Sequence, residues 1–188
     1  MNKQYLSAQQ LLSDAYALAA QVFESGFRPN YIIGVWRGGT PVAIAVHELL
    51  HVLGVEADHF AIRTQSYSGI GQREDHIAVD GLDYLEGRLA SGDALLLVDD
   101  VHDSGLSLQR ASSELQRIYA AQGPEIRIAT PYFKPGNNRV QRAPDYYLHE
   151  TDDWLIFPHE LEGLTLAEMR AHKPELAETL ALLESRLK

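Results

Sequence analysis

A group of acidic and small polar residues near the middle of the chain has the spacing of a site for an anion. The apolar run 94–98 leads into two adjacent acids, Asp99 and Asp100, and then into Asp103 and the segment 104–107, which reads Ser-Gly-Leu-Ser. Paired carboxylates accept hydrogen bonds from sugar hydroxyls or hold a hard cation such as Mg²⁺. Small residues at a helix start let a phosphate approach the backbone N–H groups. The pattern therefore predicts an anion pocket edged by carboxylates.

Asp and Ser are also common turn and N-cap residues, which is the simpler explanation of any one of these positions. That explanation accounts for one or two of them. It does not account for three aspartates and a Ser-Gly-x-Ser turn directly after a five-residue apolar strand.

The elements that must position this segment alternate along the chain. Strands are predicted at 31–36, 55–62, 94–98, 126–133, 146–149 and 154–157 from short apolar runs bounded by turn residues. Helical spacing predicts helices between Ser7 and Gly26, between Thr40 and Gly54, from about Ser107 to Ala121, and on either side of Pro174. This order predicts an α/β fold, with a mainly parallel twisted sheet and helices on both faces.

Composition excludes several classes of protein. The 188 residues carry 26 acidic and 16 basic side chains, a formal net charge of -10, which argues against a surface that follows nucleic-acid phosphates. Without cysteine, the chain has no disulfide, thiolate nucleophile or zinc–thiolate site. The polar N-terminus and the lack of an apolar stretch of about 20 residues predict no membrane segment and a cytoplasmic location.

From residue 95 to residue 107 the chain resembles the PRPP-binding signature of the type I phosphoribosyltransferases. It departs from the signature only at His102, which is usually apolar, and at Ser104, where Thr is more common. The resemblance implies that Asp99 and Asp100 face the ribose hydroxyls of PRPP, directly or through Mg²⁺. It implies that Asp103 lies near the purine N7 as proton acceptor or donor. The 5-phosphate would be held by Ser104, Gly105, Leu106 and Ser107.

Two further loops resemble parts of the same family. The segment that contains Arg37, Gly38 and Gly39 is similar to the pyrophosphate loop, although an Arg-Gly-Gly alone is as typical of a tight turn. Segment 64–75 is polar and contains glycine, and it is predicted to be a mobile loop. Within it, Ser66 and Tyr67 resemble the pair that closes over the reacting centre in 6-oxopurine enzymes.

Segments 132–135, 144–146 and 153–158 resemble the purine-binding end of the bacterial and archaeal 6-oxopurine phosphoribosyltransferases. In that interpretation Lys134 donates to the oxygen at C6, Trp154 stacks on the base, and the backbone of Leu155 and Ile156 reads its edge. Glu160 occupies the place of an acid, more often Asp, that helps to hold magnesium. Trp154 taken alone would be interpreted as a core aromatic.

The resemblance implies a purine-salvage enzyme that transfers the phosphoribosyl group of PRPP to N9 of hypoxanthine, guanine or xanthine, with Mg²⁺ and as a homodimer or homotetramer. We expect one domain over residues 1–188. Its core would span about 27–135, its purine-binding hood about 136–163, and a C-terminal helical extension about 164–188. The apolar stripe of that extension would pack on its own domain or form a dimer seam.

Two alternatives come from other classes. His47, Glu48 and His51 fit the H-E-x-x-H pattern of zinc peptidases, with His59, Glu56 or His76 as candidate third ligands. The apolar stripe of this helix should leave these three side chains on its more solvated face, which favours surface histidines. The other alternative is a non-catalytic regulator that senses PRPP or a nucleotide on the same fold.

Overall fold

The helices and strands of the protein are seen in a computed structural model that describes residues 2–67 and 76–183. The strands are β1 (Lys3–Tyr5), β2 (Tyr31–Trp36), β3 (Asp58–Tyr67), β4 (His76–Asp80), β5 (Ala94–Val98), β6 (Val101–His102), β7 (Glu125–Phe133), β8 (Tyr146–Glu150) and β9 (Trp154–Ile156). The helices are α1 (Ala8–Glu24), α2 (Gly39–Val52), α3 (Leu106–Ile118), α4 (Leu166–His172) and α5 (Ala177–Leu183). Short 3-10 turns lie at Leu82–Leu85 and Pro174–Leu176.

The chain divides into two compact units, one formed by residues 12–152 and the other by residues 1–11 with 153–188. The larger unit contains a seven-stranded sheet in the order β4-β3-β2-β5-β7-β6, with β8 also paired to β7. Strands β2, β3, β5, β6, β7 and β8 pair in parallel, and β4 pairs antiparallel with β3. The predicted α/β class with a mainly parallel sheet is confirmed.

The core of the larger unit lies where α3 packs on one face of the sheet. Parallel strands that are covered on both faces read as continuous apolar runs, and 95–98 is such a run, fully buried. The core cluster consists of aliphatic and aromatic residues from the strands, from α3 and the residue after it, and from the 3-10 turn and the segment after it: Tyr31, Ile33, Val35, Ile62, Leu82, Leu85, Leu89, Leu95, Leu97, Leu108, Ala111, Leu115, Tyr119, Ile126 and Ile128. Its packing fixes the ends of β5 and β7, where the candidate site residues begin.

The smaller unit combines β1 and β9 with the C-terminal helices. The two strands pair in parallel, with Lys3 opposite Trp154 and Tyr5 opposite Ile156. Thr165 and Glu168 form the capping box that the sequence predicts: the Thr165 hydroxyl accepts from the Glu168 N–H at 3.2 Å and the Glu168 carboxylate accepts from the Thr165 N–H at 2.9 Å. Leu180 is buried, as expected if the C-terminal stripe packs on its own domain.

Several element boundaries differ from the prediction. The second helix starts at Gly39, and Thr40 does not cap it, because its hydroxyl donates to the Arg37 carbonyl at 2.6 Å. The third strand runs from Asp58 to Tyr67, so the segment from Thr64 to Tyr67 was wrongly predicted as a loop. Its register opposite β4 supplies backbone partners that a polar sequence does not reveal.

Among the described residues no helix is both long and apolar enough to cross a membrane.

Candidate active site

The turn between β5 and α3 brings the acidic and small residues together at the carboxyl end of the sheet. The Asp99 N–H donates to the Ala129 carbonyl at 3.2 Å, and this bond continues the β5–β7 ladder by one residue. The Asp100 N–H donates to the Asp99 carboxylate at 3.0 Å. The chain then pairs briefly with β7 through β6 before it enters α3 at Leu106. Ligands of open α/β sheets bind at this end of the strands.

A cavity of about 70 Å³ lies in this turn. Most of its lining comes from the predicted anion-binding segment and its neighbours: Asp99, Val101, His102, Asp103, Ser104, Gly105, Ser107 and Leu108. The helix begins here, so the first backbone N–H groups and the positive end of the helix dipole lie at the cavity. A phosphate-sized anion is the kind of group that such a cavity can hold.

Gly105 is required at this turn for two reasons. Its φ of 76° is in the left-handed region that favours glycine. A Cβ at this position would also lie 2.5 Å from the His102 ring and 2.5 Å from Val140. The buried imidazole of His102 therefore packs directly against the turn, and burial lowers the pKa of this imidazole.

The loop after β2 packs directly against the paired carboxylates. A Cβ on Gly38 would overlap the Asp100 carboxylate, and a Cβ on Gly39 would lie 2.7 Å from the Asp99 Cα. The Gly39 N–H also donates to the Asp99 carboxylate. The Trp36–Arg37 peptide bond is cis, and Arg37 itself is exposed. The structure thus joins the predicted pyrophosphate loop to the acidic turn through glycine contacts that larger residues could not make.

Asp99 and Asp100 are adjacent acids in a confined position. Burial, and next the negative charge of Asp100, raise the pKa of Asp99 well above its usual range. The N–H groups of Asp100 and Gly39 act in the opposite direction because they stabilise the carboxylate. A pair of this kind is stabilised by a cation or by hydroxyl donors.

Asp103 meets two donors that come from the end of β7. The Lys134 Nζ lies 3.3 Å from the Asp103 Oδ2, and the Asn137 side-chain amide donates to the Asp103 Oδ1. Lys134 is buried, whereas the Asp103 side chain is 43% exposed. An ammonium donor, an amide and a carboxylate therefore stand side by side, which suits a flat ligand that has acceptor and donor atoms on one edge.

Three of the residues predicted for the purine end, Trp154, Leu155 and Ile156, lie in the smaller unit, and Leu155 differs from the other two in backbone direction. The Trp154 N–H donates to the Asn2 carbonyl at 2.9 Å, and the Ile156 carbonyl accepts from the Leu6 N–H at 3.0 Å. In a parallel ladder alternate residues bond the same neighbour, so the N–H and C=O of Leu155 point away from β1. Of Leu155 and Ile156, Leu155 is therefore the residue whose backbone N–H and C=O face away from β1. The Trp154 side chain is 55% exposed, so it is not a core aromatic.

Glu160 closes a turn in the same unit. Its carboxylate accepts from the Phe157 N–H at 3.2 Å, and its own N–H donates to the Phe157 carbonyl at 3.0 Å. The predicted magnesium role of Glu160 stays a prediction.

Ser66 and Tyr67 end β3, and their backbones pair with Ile77 and His76 of β4. Segment 68–75, which contains the rest of the predicted flexible loop, lies outside the described residues.

The H-E-x-x-H segment lies on α2 as predicted, with His47 half-buried and His51 and Glu48 exposed. The His47 and His59 rings are 4.1 Å apart, beside an apolar groove of about 330 Å³ between α2 and β3. Within residues 2–67 and 76–183, no group of three or more His, Cys, Asp or Glu side chains is placed to hold a metal ion. Histidines packed at a surface groove fit this geometry better than a zinc site does.

Sequence reasoning missed Asn137 and the supporting role of His102. Asn137 follows a Lys-Pro-Gly turn, and its N–H donates to the Lys134 carbonyl at 3.2 Å. A polar side chain three residues after a predicted base-binding lysine was the available signal. His102 was noticed only as a departure from an apolar position.

Comparison with known proteins identifies the family. The model of the phosphoribosyl transferase domain matches residues 1–164. A xanthine-guanine phosphoribosyltransferase from Chromohalobacter salexigens is 30% identical over 158 residues, which cover 83% of each chain. A xanthine-guanine phosphoribosyltransferase from Desulfotalea psychrophila is 28% identical over 162 residues, which cover 84% of this chain and 86% of that one. A purine phosphoribosyltransferase structure from Pyrococcus horikoshii superposes with a TM-score of 0.67 at 29% identity, covering 88% of this chain and 99% of that one. The chain belongs to the phosphoribosyltransferase family.

Proposed function

We propose that this chain transfers the 5-phosphoribosyl group of PRPP to N9 of a 6-oxopurine and releases pyrophosphate. The observation that carries the proposal is the contact of Lys134 with Asp103 beside the small cavity of the β5–α3 turn. The relatives named above act on xanthine and guanine or on purines, which supports the same substrate class here.

In the proposed reaction the base nitrogen forms a bond to the anomeric carbon as the bond from that carbon to pyrophosphate breaks. Asp103 holds or receives the proton at N7 of the base, and Lys134 donates to the oxygen at C6. The Lys134 ammonium donates to an oxygen at C6 but cannot accept an amino hydrogen, so Lys134 favours a 6-oxopurine over adenine. Trp154 stacks on the base, and the Leu155 backbone reads its edge.

The phosphate groups of PRPP would be held by two loops. Ser104, Gly105, Leu106 and Ser107 bind the 5-phosphate through the start of α3, and the loop of Arg37, Gly38 and Gly39 receives the pyrophosphate. The carboxylates of Asp99 and Asp100 accept from the ribose hydroxyls.

The acidic pair also fits magnesium, because Mg²⁺ in such enzymes uses one or two carboxylates together with substrate phosphates. Asp99 and Asp100 would hold the ion, with Glu160 as a further candidate, and the ion would neutralise charge on the departing pyrophosphate. A cytoplasmic location and a homodimer or homotetramer remain our proposals. They rest on the composition and on the family resemblance respectively.

A panel of bases tests the proposal. The protein is mixed with PRPP, Mg²⁺ and hypoxanthine, guanine, xanthine or adenine, and pyrophosphate release is followed. We expect release with at least one 6-oxopurine and none above background with adenine. A chain that binds PRPP but releases no pyrophosphate with any base would be a regulator, and chelatable zinc with peptidase activity would indicate the H-E-x-x-H alternative.

A further inference from the structure

Lys173 is a cation buried in the smaller unit, with an exposed fraction of 1%. It follows α4 and lies beyond residues 1–164, which the family model matches. Lysine is seldom fully buried, because removing an ammonium from water is costly unless other groups compensate. The buried Lys173 ammonium must therefore be stabilised by specific neighbouring groups.

The partner is the backbone directly after β9. The Lys173 Nζ donates to the Phe157 carbonyl at 2.6 Å, and the same carbonyl accepts from the Glu160 N–H at 3.0 Å. The carboxylates of Glu160 and Glu175 are close enough to attract the ammonium. Together with the bond from the Phe157 N–H to Glu160, these contacts hold both polar groups of the Phe157 backbone in one orientation.

Strand β9 depends on anchors at its two ends. It has three residues, and β1 is its one partner among the strands that the structure describes, bonded through Trp154 and Ile156. At its start the Trp154 N–H is held by Asn2, and at its end the chain turns at Phe157. Loosening of that turn would change the direction of the Leu155 backbone and of the Trp154 ring.

We propose that Lys173 is a positioning residue for base recognition, which means that the C-terminal extension holds the β9 segment in its binding conformation. This inference rests on the proposed function, in which Trp154 and Leu155 receive the purine. The inference predicts that changes in the C-terminal extension alter the KM for the base and leave the binding of PRPP unchanged.

The kinetic test compares Lys173→Met with Arg170→Met. Arg170 is an exposed cation on α4, three residues before Lys173, so its replacement removes the same charge and leaves the Lys173 side chain in place. We expect Lys173→Met to raise the KM for the base about 10-fold, since a hydrogen bond to a charged donor is lost, and to leave the KM for PRPP within 2-fold. The control should change neither constant by more than 2-fold. Equal increases in both constants, or no increase in either, would overturn the proposal.

A second measurement does not depend on turnover. The chain has two tryptophans, so a Trp36→Phe background leaves Trp154 as the single tryptophan, whose fluorescence is excited selectively at wavelengths that tyrosine does not absorb. We expect Lys173→Met in this background to lower the fluorescence anisotropy of Trp154 and to increase its quenching by acrylamide, whereas Arg170→Met leaves both unchanged. Lys173→Gln, which keeps one donor on a shorter side chain, should show smaller changes in the same direction and is used if the Met variant does not fold.

The two hypotheses fail differently. If the wild-type protein transfers phosphoribosyl to no base, the proposed function is wrong, and the fluorescence of Trp154 still decides whether Lys173 orders the segment. If transfer occurs and neither Lys173 variant moves the base KM or the fluorescence, the positioning role is wrong and the proposed function stands.

Discussion

At the scale of single residues, the site depends on a few groups held at short range. Asp103 accepts from both Lys134 and Asn137, so its carboxylate is oriented before any ligand arrives. The glycines at 38 and 39 let one loop approach the carboxylates of another. A larger residue at position 38 or 39 would overlap the neighbouring aspartates, so these positions require glycine.

Replacement of Asp103 by Asn should lower kcat far more than it weakens PRPP binding. The amide keeps the size of the side chain but cannot take up the base proton, so we expect kcat to fall about 100- to 10,000-fold with the KM for PRPP within a few-fold. Steady-state kinetics with both substrates varied measures this. Asp83→Asn, at an exposed acid of the 3-10 turn, is the control. Equal losses in kcat and in PRPP affinity would contradict the proton-transfer role.

Gly39→Ala should impair PRPP binding as well as stability. The new methyl group would meet the Val98 carbonyl and the Asp99 Cα, so the loop must move away from the acidic turn. We expect the KM for PRPP to rise at least 10-fold, as a strain of about 1–3 kcal/mol implies. Gly87→Ala provides the comparison, because Gly87 has a φ of 69° but open space around it. That variant should lower Tm without changing the KM for PRPP.

At the scale of elements, β5 and β6 both pair with β7. This pairing places the segment 99–103 next to Lys134 at the end of β7. The position of β7 is also held by a polar contact with α1. Asp14 of α1 is buried, and it accepts from the Tyr132 hydroxyl at 3.1 Å and contacts the His149 ring at 3.1 Å. Burial and the charge of Asp14 raise the pKa of Tyr132, so the tyrosine stays protonated as the donor.

Asp14→Ala should therefore destabilise the larger unit. The change leaves the buried Tyr132 hydroxyl without this acceptor, and we expect the free energy of unfolding to fall by about 1–3 kcal/mol. Urea denaturation followed by circular dichroism gives the value. Tyr132→Phe removes the donor instead and should cost less, about 1 kcal/mol. An unchanged free energy in both variants would show that α1 is held by its apolar face alone.

At the scale of the whole molecule, the candidate residues for the two substrates are distributed unequally between the two units. The proposed PRPP-binding residues lie within residues 12–152, and Trp154, Leu155 and Ile156 lie in the smaller unit. The net charge of -10 gives no general attraction for an anionic substrate, so binding of PRPP must come from the local N–H groups and glycine loops.

Removal of residues 165–188 tests this distribution. The deletion takes away buried Lys173 and Leu180, so we expect the KM for the base to rise at least 10-fold while the affinity for PRPP changes less than 3-fold. Calorimetric titration with PRPP and kinetics with the base measure the two effects. A circular dichroism melt checks that the larger unit stays folded. Loss of PRPP binding in a chain that melts normally would contradict this assignment.

The sequence by itself determined six of the nine described strands, the helices and the acidic turn after β5. These features are local: an apolar run, adjacent acids and a Ser-Gly turn specify their own backbone within a few residues. The tertiary structure alone decided that β4 extends the sheet, that Asn137 reaches Asp103, that His102 supports Gly105, and that Lys173 holds Phe157. Each of these depends on contacts set by the packing of the chain, and hydrophobic periodicity carries no information about which distant polar groups will meet.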